Sequence, residues 1–446
     1  MSTSPGPEPP HAPLPRIWPF KRVYFGWAVV FASLLAGLGA VPAHGPVIGL
    51  FFEPMEQELG WSYFTLSLAF TLGSAGSAFT SLLIGRYIDR YGARAITVIS
   101  GFALTGSLIG LSLVTQPWHY WLFFGIARAV SQAGVGIGGS VAVAKWFVRM
   151  RGRALAVKAT GLRASQAVMP LVIYAIMAAW DWRMAWLALG VMAAVLVILP
   201  GWLLMRRQPE DFGLEPDGDA PEAPDEGQGE GKPGKRRRDA EISWTLAEAR
   251  KTRSFWLILF LLMMTPFTMG ATNLHLATTF YDKGLSDATV VTVLVIFAVT
   301  SAVVITPLGY LYDKIHVRYG GMLLAALLLL AMVIAILPGG LWMAVLFAVV
   351  FGLATGSRGL VETLLLANYF GRGSLGALRG FAGPFRLISP LGPLYAGLVR
   401  DLTGSYALAF GTFAVVAAVM GAVMFFAKQP VHPSQVVQPA SGSAVQ

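Results

Sequence analysis

The chain has 446 residues, of which 55% are hydrophobic and only 13% are charged. Soluble proteins carry about 25% charged residues, so this composition and a mean hydropathy of +0.63 exclude an ordinary soluble protein. The net charge of +10 does not indicate nucleic-acid binding here, because the lysines and arginines lie at the ends of hydrophobic segments.

Residues 1–22 contain six prolines between positions 5 and 15 and predict a disordered N-terminal arm. The arm lacks the short apolar core and small-residue cleavage site of a secretory signal. We therefore expect the first hydrophobic segment to be retained as a membrane span.

Twelve mainly apolar segments follow, each long enough to cross a hydrocarbon core about 30 Å thick as a helix. They lack the short alternating pattern of a barrel. The sequence predicts an all-α membrane fold of two six-helix bundles, residues 23–205 and 254–428, with a linker over 206–253 and a disordered tail over 429–446. The predicted spans are 24–52, 62–84, 94–115, 119–146, 153–178, 183–205, 255–281, 287–311, 318–337, 341–368, 376–399 and 405–427.

Basic residues concentrate in the loops on one side of this topology, and the other side has mainly Arg183, Lys283 and Arg400. The positive-inside rule then places both termini and the linker in the cytoplasm. We expect a multi-pass protein of the plasma (inner) membrane.

The linker has a turn-rich start (209–218), an acidic stretch and a basic cluster at 235–238. The basic cluster is read as a solvated charge run, with binding to anionic lipid as the alternative. Thr245 and Glu248 have the spacing of a capping box before the seventh span.

A charged motif occurs twice, after the second and the eighth spans, 224 residues apart. A shift of 223 also overlays Arg163 on Arg386 and Pro170 on Pro393. We infer an internal duplication, which in transporters places the substrate site near the midplane where the halves meet. An Asp in each motif can cap a helix end and pair with Arg in one state only, so a gate is predicted. The gate residues are Gly85, Asp89, Arg90, Gly309, Asp313 and Lys314.

With these paired motifs the chain resembles the major facilitator superfamily over nearly its whole length. Four stretches resemble its bacterial monocarboxylate porter and oxalate:formate antiporter-like branch: Tyr24-Phe25-Gly26-Trp27, Gly60-Trp61-Ser62, residues 146–156 and residues 209–214. The resemblance implies a monomeric carrier of small organic anions that is coupled to protons or to a counter-anion.

Ionisable side chains within spans are costly and mark functional positions. Cations outnumber anions among them, which favours an anionic substrate. Arg163 and Arg386 are the preferred carboxylate-binding pair, because guanidinium forks suit carboxylates and the two positions match in the repeat; the alternative is a structural tie to helix carbonyls. The set comprises Arg128, Lys158, Arg163, Arg358, Glu362, Arg379 and Arg386.

Roles are predicted for the other members of this set. Lys158 either binds substrate or extends toward the cytoplasm, and Arg379 is expected to do the latter. Arg358 and Glu362 are spaced to pair on one helix face, either as a self-contained ion pair or as a coupling device in which protonation of Glu362 frees Arg358. The resemblance gives Arg128 a coupling role, with structural pairing as the alternative.

Two histidines lie at matching places in the halves, His44 within the Pro42–Pro46 break of the first span and His275 after Asn273 in the seventh. Each, with Asn273, is a candidate for substrate binding. A hydrogen-bonded structural histidine is an equal alternative.

The eighth span departs from the eukaryotic-like monocarboxylate pattern, because it has no central Asp–Arg pair. Exchange, or a substrate of different shape or charge, is therefore open beside proton symport. Export of a hydrophobic or cationic compound is less favoured, since sites for cations usually need unpaired Asp or Glu.

Other function classes find no support in the sequence. The glycines at 134, 136 and 139 lie inside a span and indicate close helix packing rather than nucleotide binding. No ATP-binding phosphate loop and no histidine pair with metal-ligand spacing are present, and without cysteine there is no thiolate metal site. We expect no cofactor, no metal, no nucleic-acid partner and no enzyme.

Overall fold

The computed structural model describes residues 23–218 and 244–430, except for residues 338, 372–374 and 383. In this part of the chain all regular structure is helical. The predicted N-terminal arm, residues 219–243 of the linker with its basic cluster, and the tail from residue 431 lie outside the described residues.

Helices occupy all twelve predicted spans, so the all-α fold is confirmed. Within the described residues, nine helices are both long enough and apolar enough to cross a membrane. The first, second and eleventh spans are not among them. The nine are Arg90–Ser112, Pro117–Trp146, Arg151–Ala179, Trp182–Leu204, Arg253–Leu274, Asp287–Tyr312, Val317–Ile336, Leu341–Phe370 and Ala407–Phe426.

The first span is broken where its sequence predicts a break. A helix over Gly26–Gly39 gives way to a 3-10 turn at Val41–Ala43, and His44 adopts extended backbone angles before helical turns resume at Gly45. Prolines at 42 and 46 lack the N–H that would continue the ladder. The break leaves backbone carbonyls in need of other partners.

The second and third spans meet without a loop. Helical backbone runs over Tyr63–Ser112 and is interrupted only at Gly92, with φ of 81° and ψ of 158°. A Cβ disfavours this region, so glycine suits the reversal. The gate positions 85, 89 and 90, which the sequence places after the second span, therefore lie on helical backbone just before Gly92.

The eleventh span is a chain of short pieces rather than the one helix that hydropathy predicts. Its segments are Leu375–Ala382, a 3-10 turn at Pro384–Ile388 and Leu391–Thr403. Prolines at 384, 390 and 393 follow one another too closely for an unbroken ladder.

The fourth span changes its winding in the middle. Residues Val130–Ile137 form a π-helix between the α-helical Pro117–Ala129 and Gly138–Trp146. A Cβ on Gly134 would collide with the Ser100 hydroxyl of the third span. The glycines here thus allow close helix packing, as the sequence predicts.

The chain clusters into two compact units. The first comprises Met1–Leu59 with Leu68–Glu230, and the second Gly60–Ser67 with Gly231–Gln446. In the first unit the first span packs on the fifth, and in the second unit the ninth packs on the tenth and twelfth. The start of the second span therefore belongs to the second unit, which the sequence gives no sign of.

The start of the linker folds onto the first unit. The Asp217 carboxylate accepts hydrogen bonds of 2.7–3.0 Å from the backbone N–H groups of residues 148–150, just before the fifth span. Burial raises the pKa of Asp217, but these three bonds outweigh burial and hold the pKa below its ordinary value of 3.8. The Tyr24 hydroxyl donates to the Glu215 carbonyl at 3.0 Å. The predicted capping box is also present: Thr245 accepts from the Glu248 N–H, and Glu248 accepts from the Thr245 N–H.

Candidate functional site

A polar cluster surrounds the break in the first span. Arg128 of the fourth span is buried, and its Nη1 donates to the Ala43 carbonyl at 2.7 Å. Its Nε donates to Ser74 Oγ at 2.6 Å, and its Cζ lies 3.5 Å from the centre of the Phe70 ring. A backbone carbonyl released by the break is thus satisfied by a charged donor.

A glycine of the second span, Gly73, leaves space for the Arg128 side chain. A Cβ on Gly73 would lie 2.9 Å from the Arg128 Cβ, closer than side chains pack. His44 Nδ1 lies 3.2 Å from the Ala40 carbonyl, which also accepts from Ser131 Oγ at 2.9 Å. His44 and Arg128 therefore contact two different backbone carbonyls, those of Ala40 and Ala43, at the same break.

Lys158 of the fifth span points into the fourth span. Its Nζ donates to Ser140 Oγ at 2.6 Å and to the Gly136 carbonyl at 2.9 Å, at the end of the π-helical stretch. π-Helical turns occur often at functional sites. The ammonium is held by neutral groups inside the unit, so it does not extend along the helix toward the cytoplasm.

Arg163 and Arg386 lie on different kinds of backbone. Arg163 is partly exposed on the continuous helix Arg151–Ala179, whereas Arg386 falls in the 3-10 turn Pro384–Ile388 of the broken eleventh span. The side chains of Arg386 and Arg379 lie outside the described part of the structure. The backbone is therefore not symmetric at the repeat-matched arginines, and their joint role stays a prediction.

Arg358 and Glu362 of the tenth span form the ion pair that their spacing predicts. Arg358 Nε donates to Glu362 Oε1 at 2.7 Å, and Glu362 has 14% of its side chain exposed against 32% for Arg358. A pair of this geometry stabilises both charges in a span. The proposed coupling role of Glu362 stays a prediction.

His275 lies at the end of Arg253–Leu274 and is fully buried. Its Nε2 lies 2.9 Å from the Pro393 carbonyl, and its Nδ1 lies 2.9 Å from the Tyr406 hydroxyl. A carbonyl can only accept, so Nε2 carries the proton and Nδ1 accepts from Tyr406. Ser67 Oγ lies 3.1 Å from Nε2. This arrangement favours the structural alternative for His275.

Asn273 also has a local partner. Its Nδ2 donates to the Met269 carbonyl of its own helix at 2.8 Å. The amide oxygen remains as the group that Asn273 could offer to a ligand.

The described gate residues have local neighbours within their own motifs. Arg90 Cζ lies 5.3 Å from the ring centre of Tyr91, and Lys314 Nζ lies 5.2 Å from that of Tyr310. Gly309 faces open space. The surroundings of Gly85 and the side chains of Asp89 and Asp313 lie outside the described part of the structure, so the gate stays a prediction.

The structure adds a cluster of charged side chains that the sequence does not single out. Asp401 accepts from the backbone N–H of Tyr63 at 2.9 Å and of Phe64 at 2.7 Å, and so caps the start of the second span within the second unit. Arg400 pairs with Asp282 at 3.0 Å and lies 4.6 Å from the Tyr63 ring centre. These partners are up to 338 residues apart, which is why no local pattern marks them.

The other cations on the predicted outer side are also bonded. Arg183 pairs with Glu58 at 2.8 Å, and Lys283 Nζ donates to the Leu337 carbonyl at 2.8 Å. Hydrogen bonds from Arg183, and then from the Trp182 indole, hold the pKa of Glu58 below its ordinary value of 4.5. Burial lowers the pKa of Lys283.

Two cationic side chains, Arg128 and Lys158, make the interior of the first unit positively charged. Within the described residues neither Arg128 nor Lys158 pairs with a carboxylate; each is held by hydroxyl and carbonyl groups. In the same part of the chain no three acidic or histidine side chains group as metal ligands would. Such an interior can attract and orient an anion.

Helices lie over all twelve predicted spans, and nine of the described helices are long and apolar enough to cross a membrane, so the chain is a multi-pass membrane protein. The family model described as "Major Facilitator Superfamily" matches residues 25–380, and the chain belongs to that superfamily. Members of this superfamily carry small molecules, so the chain is a transporter and not an enzyme. No curated protein sequence matches the chain.

Two crystal structures illustrate the likeness. The nucleoside transporter NupG matches with a TM-score of 0.65 and 15% identity, over 91% of this chain and 100% of that one. A bacterial homologue of the human lysosomal transporter Spinster, inward-facing and unoccupied, matches with a TM-score of 0.68 and 14% identity, over 91% and 97%. At these identities the likeness concerns the fold alone.

Proposed function

We propose that the chain is a secondary active carrier of a small organic anion, a mono- or dicarboxylate, that works by alternating access and is coupled to protons. The observation that carries the proposal is the pair of cations in the first unit, Arg128 and Lys158, which lack a carboxylate partner among the described residues. A positive interior of low dielectric favours entry of an anion.

Lys158 is the strongest candidate for direct contact with the substrate. Its partners, a hydroxyl and a carbonyl, are neutral, so its charge remains available to a carboxylate. Arg163, on the same helix, and Arg386 complete the proposed site. His44 and Asn273 are secondary members, and His275 is assigned a structural role.

Coupling is proposed for the pair in the tenth span. Protonation of Glu362 would remove its negative charge and release Arg358 from the 2.7 Å contact. Arg358 could then bind the substrate carboxylate. Proton and substrate would thus load together, as symport requires.

Anion exchange of the oxalate/formate type is the second candidate. It is favoured by the eighth span, whose polar side chains are hydroxyls with no Asp–Arg pair at its centre. The four motifs that resemble the porter branch support both candidates. In each, the protein acts as a monomer in the plasma membrane with both termini cytoplasmic.

Reconstitution in proteoliposomes tests the proposal. Uptake of radiolabelled formate, lactate and oxalate is measured under an imposed inward proton gradient and, separately, as counterflow into preloaded vesicles. Gradient-driven accumulation of a carboxylate indicates symport, and counterflow without accumulation indicates exchange. Uptake of a labelled nucleoside or a hydrophobic cation, with no carboxylate transported in either assay, contradicts the proposal.

A further inference from the structure

A cavity of about 580 Å³ lies in the first unit, apart from the groups that carry the proposed function. It is an open cavity lined by the start of the third span, the end of the sixth span and the first residues of the linker. The positive-inside pattern predicts that this end of the helices faces the cytoplasm.

Three arginines line the cavity: Arg94, Arg206 and Arg207. Arg94 Cζ lies 4.7 Å from the ring centre of Trp202, and Arg206 Nη1 donates to the Met205 carbonyl at 2.7 Å. The aliphatic part of the Arg207 side chain lies beside Gly92. The lining of the cavity thus includes three cationic residues from the third span, the end of the sixth span and the start of the linker.

In the described part of the chain these three arginines outnumber the one carboxylate of the lining and form no ion pair with it. The acidic group of the lining, Asp211, accepts from Gln208 Nε2 at 2.9 Å instead of pairing with an arginine. Burial, and then the nearby charge of Arg94, lower the pKa of Arg206. Arg94 and Arg206 thus act on each other as like charges, and an anion bound beside them would relieve this repulsion.

The remaining wall is apolar and faces outward from the unit. Ile99 is 64% exposed and Trp202 58% exposed, and both lie on membrane-spanning helices. Tyr91, 55% exposed, lies at the reversal between the second and third spans. Tryptophan and tyrosine favour the level of lipid headgroups. The cavity therefore has a basic end next to an apolar flank. A phospholipid has the matching arrangement, with its phosphate next to its acyl chains.

We propose that this cavity binds the headgroup of an anionic membrane phospholipid, with the phosphate among Arg94, Arg206 and Arg207 and the acyl chains along Ile99 and Trp202. One guanidinium group can donate two parallel hydrogen bonds to two oxygens of a phosphate. The site is independent of the transported substrate, and it would fix the start of the linker against the membrane surface.

Native mass spectrometry of the full chain tests the site. The protein, purified in detergent, is incubated with dioleoylphosphatidylglycerol or dioleoylphosphatidylcholine, which share acyl chains and differ in net charge. We expect the wild type to retain phosphatidylglycerol preferentially. Each arginine near an anionic membrane surface contributes to lipid binding, so Arg207→Gln should weaken retention of phosphatidylglycerol about fivefold. The double variant Arg94→Gln with Arg207→Gln should weaken it more strongly. Retention of phosphatidylcholine should not change.

Arg153→Gln is the matched control, because Arg153 is an exposed cation at the same end of the first unit and does not line the cavity. Equal loss of phosphatidylglycerol in Arg153→Gln, or none in the double variant, overturns the proposal. A thermal-shift arm uses inorganic phosphate without lipid. Stabilisation of the wild type but not of Arg207→Gln by millimolar phosphate would mean that the occupant is a free anion and would overturn the lipid assignment.

Discussion

At the scale of single residues, Arg128 and Lys158 differ in how fully neighbouring groups contact their charged atoms. Arg128 is buried, and its guanidinium is used by a backbone carbonyl, a hydroxyl and an aromatic face. Lys158 is partly exposed and has two neutral partners. Sequence reasoning selects both positions because a charge in a span is costly, but only the folded contacts show that Lys158 has the more accessible charge of the two.

Replacing Lys158 with glutamine should weaken carboxylate transport. Loss of one charge-assisted hydrogen bond costs about 1.5–3 kcal/mol, so we expect KM to rise roughly 10- to 100-fold in the proteoliposome assay. Lys145→Gln removes the same charge from the last turn of the fourth span and serves as the control. An unchanged KM in Lys158→Gln would exclude Lys158 from the site.

Glu58 predicts a pH-dependent contribution to stability outside the spans. Because its pKa is depressed in the folded state, its stabilising effect is fully present above the ordinary value of 4.5 and is lost as pH falls through the depressed value. Glu58→Gln should therefore lower the melting temperature at pH 7 and have little effect in acid below that depressed pKa. The measurement is a thermal-shift series across this range. A difference from wild type that does not vary with pH would contradict the assignment.

At the scale of elements, hydropathy and the positions of proline predict most of the helical segments. The twelve spans, the break at Pro42–Pro46 and the capping box at Thr245 follow from local patterns and are present in the structure. The breaks in the eleventh span are missed because its apolar content predicts one helix, although the prolines at 384, 390 and 393 signal them. The π-helix of the fourth span is missed because apolar content does not report the winding of the backbone. Contacts such as that of Asp401 with Tyr63 depend on tertiary folding and leave no local signal.

Removal of the Asp401 carboxylate should loosen the start of the second span. Helix caps contribute about 1 kcal/mol, and here one carboxylate accepts from two N–H groups. Asp401→Ala should speed hydrogen–deuterium exchange in residues 60–67 and lower the melting temperature. Asp287→Ala, which changes an exposed aspartate in the first turn of the eighth span, is the control. If exchange in 60–67 is the same in both variants, Asp401 is not the cap that the contacts indicate.

For the whole molecule, the duplication predicts two equivalent halves, yet the charged groups are not equivalent. The first unit holds Arg128 and Lys158 among neutral partners, whereas the tenth span of the second unit holds the ion pair of Arg358 and Glu362. The domain boundaries at residues 205 and 254 stay a prediction. Asymmetry of this kind suits a carrier that binds substrate and proton with different groups.

Glu362→Gln should uncouple transport from the proton gradient. With the carboxylate gone, Arg358 has no charge to release and protons have no acceptor at this position. We expect gradient-driven accumulation to fall to the level of simple equilibration while counterflow persists. Full accumulation in Glu362→Gln would show that the proton is carried elsewhere, and loss of counterflow as well would assign the pair to substrate binding or folding.

The attachment of residues 206–218 to the first unit bears on how the protein can be divided. Hydropathy suggests a cut at residue 205, where the sixth span ends. Such a cut would leave the entry to the fifth span without Asp217, which accepts from three consecutive N–H groups there. For separate expression of the two halves, or for insertion of a reporter, the suitable point lies beyond Gly218.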